Sequence, residues 1–233
     1  MEQPILITGC ARSGTSMTAG LIHSVGGVFG GGLSGPNKYN SKGMFENLSI
    51  RNQLVKPFLK SINCDPLGQF PLPDTKDIEK FTSTFCNKWR GQVQEIMSKE
   101  GYKGGVWFYK GAKMCLIWQI WHKAFPGAKW VIVRRETEDI VNSCLRTSFM
   151  RAHKKRSGWI SWVAEHEKRF EDMVDEKLNI QEVWPQRMVQ GDFSEMQIVI
   201  NNLGLEWDLE KANDFVDPGL WRKWLSKRKR HGK

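Results

Sequence analysis

Ile5-Leu6-Ile7-Thr8-Gly9-Cys10-Ala11-Arg12-Ser13-Gly14-Thr15-Ser16 is the stretch whose reading decides the fold. Its first four residues form an apolar, β-branched run of strand character that stops at Gly9. Beyond Gly14 the apolar residues Met17, Leu21, Ile22 and Val25 recur at helical spacing. The order is therefore strand, glycine-bearing turn, helix. Glycines let such a turn direct backbone N–H groups inward, and the helix start adds the positive end of its dipole, so the turn is suited to hold an anion.

Downstream, residues 26–43 are rich in glycine and broken further by Pro36, Asn37 and Asn40, a composition that predicts a long loop. Residues 46–62 and 74–100 read as helices, separated by a segment broken at Pro66, Gly68, Pro71 and Pro73. Residues 106–109 read as a second strand, followed by a helix through Leu116, Ile117, Ile120 and Trp121 that stops before Pro126. Residues 129–133 are a third strand, and Thr137 stands where it can cap a helix carrying Ile140, Val141, Cys144 and Leu145. Residues 146–158 are basic and broken and 159–176 helical, while 187–189 read as a last strand and 193–203 as a last long helix. This alternation predicts an α/β fold of three layers, a mostly parallel central sheet with helices on both faces. At 233 residues a single domain, 1–233, is expected.

Composition excludes several classes. A chain that is 40% hydrophobic and 26% charged, with no apolar run long enough to cross a bilayer, is not read as a membrane protein. The start lacks the pattern of a secretory signal, and the five cysteines are odd in number and not at metal-ligand spacing. Reduced thiols and a cytoplasmic location are the expectation. The net charge of +10 is uneven, because Arg222, Lys223, Lys227, Arg228, Lys229, Arg230 and Lys233 supply seven charges and leave +3 for the remainder. Residues 226–233 read as a basic tail.

The first turn fits the phosphate-loop frame G-x-x-x-x-G-K-[ST] except that Thr15 stands where lysine belongs. In an ATPase or kinase that lysine balances the β and γ phosphates while the Ser/Thr hydroxyl holds magnesium. With threonine there, a metal-bound triphosphate loses its main counter-charge. A small-molecule kinase is the alternative among enzymes and predicts an Asp after an apolar strand, yet Val131-Ile132-Val133 leads to Arg134 and Arg135.

The same turn resembles the 5′-phosphosulfate loop of sulfotransferases that use PAPS (3′-phosphoadenosine 5′-phosphosulfate), where Lys or Arg precedes S-G-T-[ST], as Arg12 precedes Ser13-Gly14-Thr15-Ser16. The resemblance, to bacterial-type members with a P-loop NTPase-like fold, implies a sulfuryl transfer from PAPS to a hydroxyl acceptor, leaving PAP and requiring no metal. It places Ser13, Gly14, Thr15 and Ser16 around the 5′-phosphate and Arg12 on the sulfonate side. The plain alternative is a glycine turn without a ligand.

A PAPS enzyme must also recognise the 3′-phosphate. Arg135 at the third strand's end and Ser143 eight residues on resemble the family's motif for that group, with Asp139 and Ile140 in register and Thr137 where proline is common. Arginine offers a planar fork of donors suited to phosphate. The alternative is a solvated strand exit in which Arg134 and Arg135 pair with Glu136 or Asp139. Arg222 and Lys223, after Phe215-Val216-Asp217-Pro218, resemble a late motif of some members and would bring further cations to the nucleotide, unless the end of the chain is simply solvated.

In-line transfer at sulfur needs a base for the acceptor hydroxyl and cations for the departing phosphate oxygen. Asn40-Ser41-Lys42-Gly43-Met44-Phe45-Glu46 resembles the N-x-x-G-x-[FW]-E segment of bacterial-type members, which makes Glu46 the expected base; its plain alternative is a helix-start carboxylate. Histidine serves elsewhere in the family, but His23 and His122 fall inside predicted helices. Lys110 and Lys113 lie in a segment resembling K-x-x-[RK]-x-C-L, which implies that Lys110 stabilises the bridging oxygen and that Lys113 orients donor or acceptor. The basic run at 151–156 is read as a lid over the nucleotide or as exposed charge. Residues 44–104 are expected to form a helical insertion on the acceptor side, the acceptor being a small molecule, saccharide or peptide. From another class, a nucleic-acid-binding module would use the basic tail with Trp221 and Trp224 as stacking surfaces, a partner the resemblance disfavours.

Overall fold

The computed structural model describes residues 2–38 and 40–222. Four strands, β1 (Ile5–Thr8), β2 (Phe108–Lys110), β3 (Lys129–Val133) and β4 (Ile180–Val183), form one sheet in the order β2-β1-β3-β4, every neighbouring pair parallel. Alternation along the strands explains why helices cover both faces. Ile5, Ile7, Val131 and Val133 pack on one side, with α1 (Thr15–Gly26), α7 (Pro185–Val189), α8 (Ser194–Asn202) and α9 (Leu209–Phe215). Leu6, Trp130 and Ile132 pack on the other, with α2 (Lys56–Ser61), α3 (Thr75–Lys99), α4 (Trp118–Ala124), α5 (Thr137–Arg146) and α6 (Arg156–Asp175). A parallel strand buried on both faces reads as a continuous apolar run, which is what made β1 and β3 visible in the sequence.

The expected strand at 187–189 is not one. Pro185 starts the short helix α7 there, where a missing N–H costs nothing, and the last strand is Ile180–Val183. Gln181 and Glu182 give that strand the polar character an edge position tolerates, so it carries no apolar-run signal. The second strand begins at Phe108 and includes Lys110; Trp107 makes an isolated bridge to Phe29 instead. Thr137 opens α5 but does not cap it; Glu136 holds the cap position without a side-chain bond.

Beyond Gly26, which ends α1, the described residues of the glycine-rich loop form no helix or extended strand, as its composition predicts. Ser34 ties its return: its N–H donates to Glu46 O at 2.9 Å and its carbonyl accepts from the N–H groups of Met44 and Phe45. Asn47 caps the next helix, its Oδ1 accepting from Ile50 N–H at 2.8 Å. Glu100, just past α3, accepts from Gly32 N–H, Asn47 Nδ2 and Ser49 Oγ and fastens loop and helix start together. The helix then runs as a π-helix through Ile50–Val55 before continuing as α2. Farther on, α3 packs on α4, with Trp89 edge-on to Trp121 at 5.5 Å.

Candidate active site

In this sheet the connections from β1 and β3 leave toward opposite edges, β1 leading to β2 and β3 to β4, so a crevice opens between them at their carboxyl ends. The turn after β1 and the exit of β3 meet there. Arg12 Nε donates to Ser143 Oγ at 2.9 Å, and Arg135 Nη1 donates to the Arg12 carbonyl at 2.9 Å. The two segments singled out in the sequence face each other across one crevice.

The turn is strained in a way a ligand site explains. Gly14, at φ 107, caps α1 where a Cβ would press on the Pro185 ring, and Arg12 holds φ 78, a left-handed conformation unfavourable for a residue with a side chain. Ser13 Oγ is buried and makes no hydrogen bond among the described residues. An orphaned hydroxyl in the turn at the start of a twelve-residue helix fits an anionic group.

The crevice continues into a cavity of about 870 Å³. Arg12, Gly14, Thr15, Ser16, Arg135 and Ser143 line one end. Lys110, the last residue of β2, is buried between the ends with Nζ 3.3 Å from Ser16 Oγ. Burial, joined by repulsion from Lys113, Arg51 and Arg12, lowers its ammonium to about 8 even though Glu46 opposes the shift. Arg135, lowered to about 10 by burial, lies under the Trp221 ring with its guanidinium 4.1 Å from the centroid. Arg134 turns away to pair with Glu167 and Glu182, so the two adjacent arginines divide between structure and site.

Glu46 stands at the far end. It is only 4% exposed, yet Arg51 Nη1 lies 3.3 Å from Oε2 and Lys113 Nζ 3.9 Å from Oε1. Burial pushes its carboxyl up, but Lys113, Lys110 and Arg51 together outweigh that and hold it below its ordinary range. Oε1 accepts no hydrogen bond among the described residues. One oxygen is thus held by Arg51, and the other is buried with its hydrogen-bonding capacity unused among the described residues.

Glu46, Lys110, Lys113, Arg12, Thr15, Ser16, Arg135 and Ser143 therefore share one cavity, and Ser13 is buried in the turn beneath it. Arg222 ends the short helix α10 (Pro218–Arg222), but its side chain, Lys223, Trp224 and the tail at 226–233 lie outside the described residues. Sequence reasoning missed Arg51, Lys56 and His166, all of which line the cavity. Arg51 and Lys56 carried no signal because only the π-turn brings them to one face. His166 sits mid-helix in α6, its Nδ1 donating to Trp162 O at 2.8 Å, and burial lowers it to about 4, so the ring is neutral with Nε2 left as an acceptor. Of the two histidines weighed before, His23 bonds Val28 O and His122 sits on α4; neither lines the cavity. The basic run at 151–156 is fastened rather than poised: Gln69 Oε1 accepts from Arg151 and Ala152 N–H, and Arg156 pairs with Glu138.

A parallel sheet with a glycine turn between its first strand and first helix, and a cavity lined by cations at its carboxyl edge, is an α/β architecture of P-loop-like type. The sulfotransferase family model matches residues 4–208, and the chain belongs to that family. Among solved structures, the sulfotransferase STF1 of Mycobacterium tuberculosis H37Rv is similar in fold, with a TM-score of 0.55 at 15% identity over 92% of this chain and 70% of that one. No curated protein sequence matches. Among the described residues no helix is long and apolar enough to cross a membrane.

Proposed function

We propose that the protein is a PAPS-dependent sulfotransferase that moves the sulfuryl group to a hydroxyl acceptor by in-line displacement, working in the cytoplasm as a single domain in which 44–104 supplies the acceptor side. The observation that carries this reading is the meeting, in one crevice, of the two segments that the resemblance assigns to the 5′- and 3′-phosphates, Arg12 Nε on Ser143 Oγ at 2.9 Å with Arg135 on the Arg12 carbonyl. A donor with phosphate at both the 5′ and 3′ positions needs two such places, and a nucleoside monophosphate needs one.

Bound PAPS supplies an activated sulfuryl group on a 5′-phosphate leaving group. The N–H groups of the first turn and the hydroxyls of Ser13, Thr15 and Ser16 hold the 5′-phosphate; Arg135 and Ser143 hold the 3′-phosphate, with Trp221 shielding Arg135. Arg12 orients the sulfonate. Glu46 Oε1 takes the proton of the attacking hydroxyl as the new oxygen–sulfur bond forms. Lys110 neutralises the charge that passes to the phosphate oxygen as the old bond breaks. A carboxylate held ionised by Arg51 and Lys113 is always in the form that can accept, and Lys113 orients the acceptor beside it.

The test is ligand-dependent melting. Adenosine 3′,5′-bisphosphate is expected to raise Tm clearly and adenosine 5′-phosphate far less. Equal shifts would remove Arg135 and Ser143 from the donor site and with them this reading.

A further inference from the structure

The cavity is unevenly charged beyond what the donor requires. Eight lysine and arginine side chains line it against two carboxylates, Glu46 and Asp217. Arg12 and Arg135 belong to the donor end, and Lys110 reaches Ser16 there. Arg51, Lys56 and Lys113 gather instead around Glu46. One buried carboxylate faces three cations, so among the described residues this half of the cavity carries a surplus of positive charge. During transfer, protonation of Glu46 would raise that surplus.

Backbone geometry shows how the surplus is arranged. In a regular α-helix, residues five apart point about 140° away from each other, since each residue turns about 100°. Here the segment Ile50–Val55 is a π-helix, and Lys56 N–H bonds to Arg51 O, the i to i+5 pattern. That extra residue per turn returns position 56 almost over position 51, and both side chains line the cavity. Asn47 and Glu100 fix where the helix begins and hence which face is presented. Arg51 is committed to Glu46. The Lys56 ammonium, half-buried, makes no hydrogen bond or ion pair among the described residues, and repulsion from Arg51 and Lys113 acts on it more strongly than the attraction of Glu46. A cation held beside two others, with its solvation reduced and one shared carboxylate among the three, is short of negative charge that an anion from outside the chain can supply.

We infer that the acceptor carries an anionic group, a carboxylate, sulfate or phosphate close to the hydroxyl that is modified, and that Lys56, brought beside Arg51 by the π-turn, selects it. This rests on the sulfotransferase reading for the word acceptor; the anion site itself does not depend on the donor's identity. Neutral phenols and neutral sugars are then poor substrates, while hydroxy acids and acidic saccharides are good ones.

The experiment uses the full chain saturated with adenosine 3′,5′-bisphosphate, so that the donor end is filled. Binding of matched pairs is measured by calorimetry: 4-hydroxybenzoate against 4-hydroxybenzamide, glucuronate against glucose, with inorganic sulfate as the minimal anion. The expected result is that the anionic member of at least one pair binds roughly ten- to a hundredfold more tightly, the range of one charge-assisted hydrogen bond. Lys56→Gln should abolish that preference while leaving bisphosphate affinity unchanged, and Lys56→Arg should restore it. Equal binding within every pair, no binding by any member, or an anion preference untouched by Lys56→Gln overturns the inference; the last places the anion at the vacant sulfonate position. Failure of the bisphosphate to bind, with the Lys56-dependent preference intact, overturns the donor reading alone.

Discussion

The two ends of the cavity are built by different means. The end proposed for the donor stands on regular elements: the β1–α1 turn and the β3–α5 exit come from adjacent parallel strands, so the sheet sets their spacing. The end proposed for the acceptor is assembled from a glycine-rich loop, a π-turn and the far side of β2, joined through Ser34, Asn47 and Glu100. Anion binding by backbone needs a fixed turn geometry, which a short local sequence can encode. Selection of an acceptor needs side chains from distant segments, which only their packing can align.

Substitutions can separate the two ends. The largest effect is expected from Glu46→Gln, which keeps one hydrogen-bonding oxygen but removes the proton acceptor: turnover should fall roughly 10²–10⁴-fold with bisphosphate affinity unchanged. Undiminished turnover would shift the base elsewhere, with His166 Nε2 next in line. At the other end, Arg135→Ala should weaken adenosine 3′,5′-bisphosphate by roughly 10–100-fold and leave adenosine 5′-phosphate almost unaffected; a similar loss for both nucleotides would mean that Arg135 shapes the crevice as a whole.

Gly20→Ala tests whether the acceptor end depends on packing. A Cβ at Gly20 would overlap the rings of Phe215 and Phe45, and Phe45 immediately precedes Glu46. The gain in helix propensity should be outweighed, costing about 1–3 kcal/mol in stability and raising acceptor KM while bisphosphate binding holds. No change in either would show that Phe45 does not set the position of Glu46.

The smallest effect is a pH limb. Lys110 titrates near 8 in the free protein, below the ordinary lysine range, so its cation is lost as pH rises through about 8. kcat/KM for the donor should decline above that pH, and Lys110→Arg should carry the decline to higher pH. Glu46, held low by its cations, adds no loss down to pH 5. A flat profile to pH 10 would remove Lys110 from the charge-bearing step.

Legibility followed the same division. Strands β1 and β3 and the turn at 9–14 stood out because each is a continuous local pattern, an apolar run followed by glycines and a helical period. Glu46, Lys110 and Lys113 were reachable only through the resemblance of their segments, since nothing within Asn40 to Glu46 states what the carboxylate faces. The edge strand at Ile180–Val183 was hidden by Gln181 and Glu182, and the apolar pair at 188–189 drew the strand reading to what Pro185 makes a helix.

By itself the sequence determined the alternating α/β layers and a glycine turn between the first strand and the first helix, because backbone periodicity and glycine geometry are local properties. Tertiary structure alone decided that Arg135 reaches the Arg12 carbonyl 123 residues away, that Arg51 and Lys113 flank Glu46, and that a π-turn brings Lys56 beside Arg51. Electrostatic fields depend on distances in space, and those are fixed only when the sheet closes and the loops dock upon it.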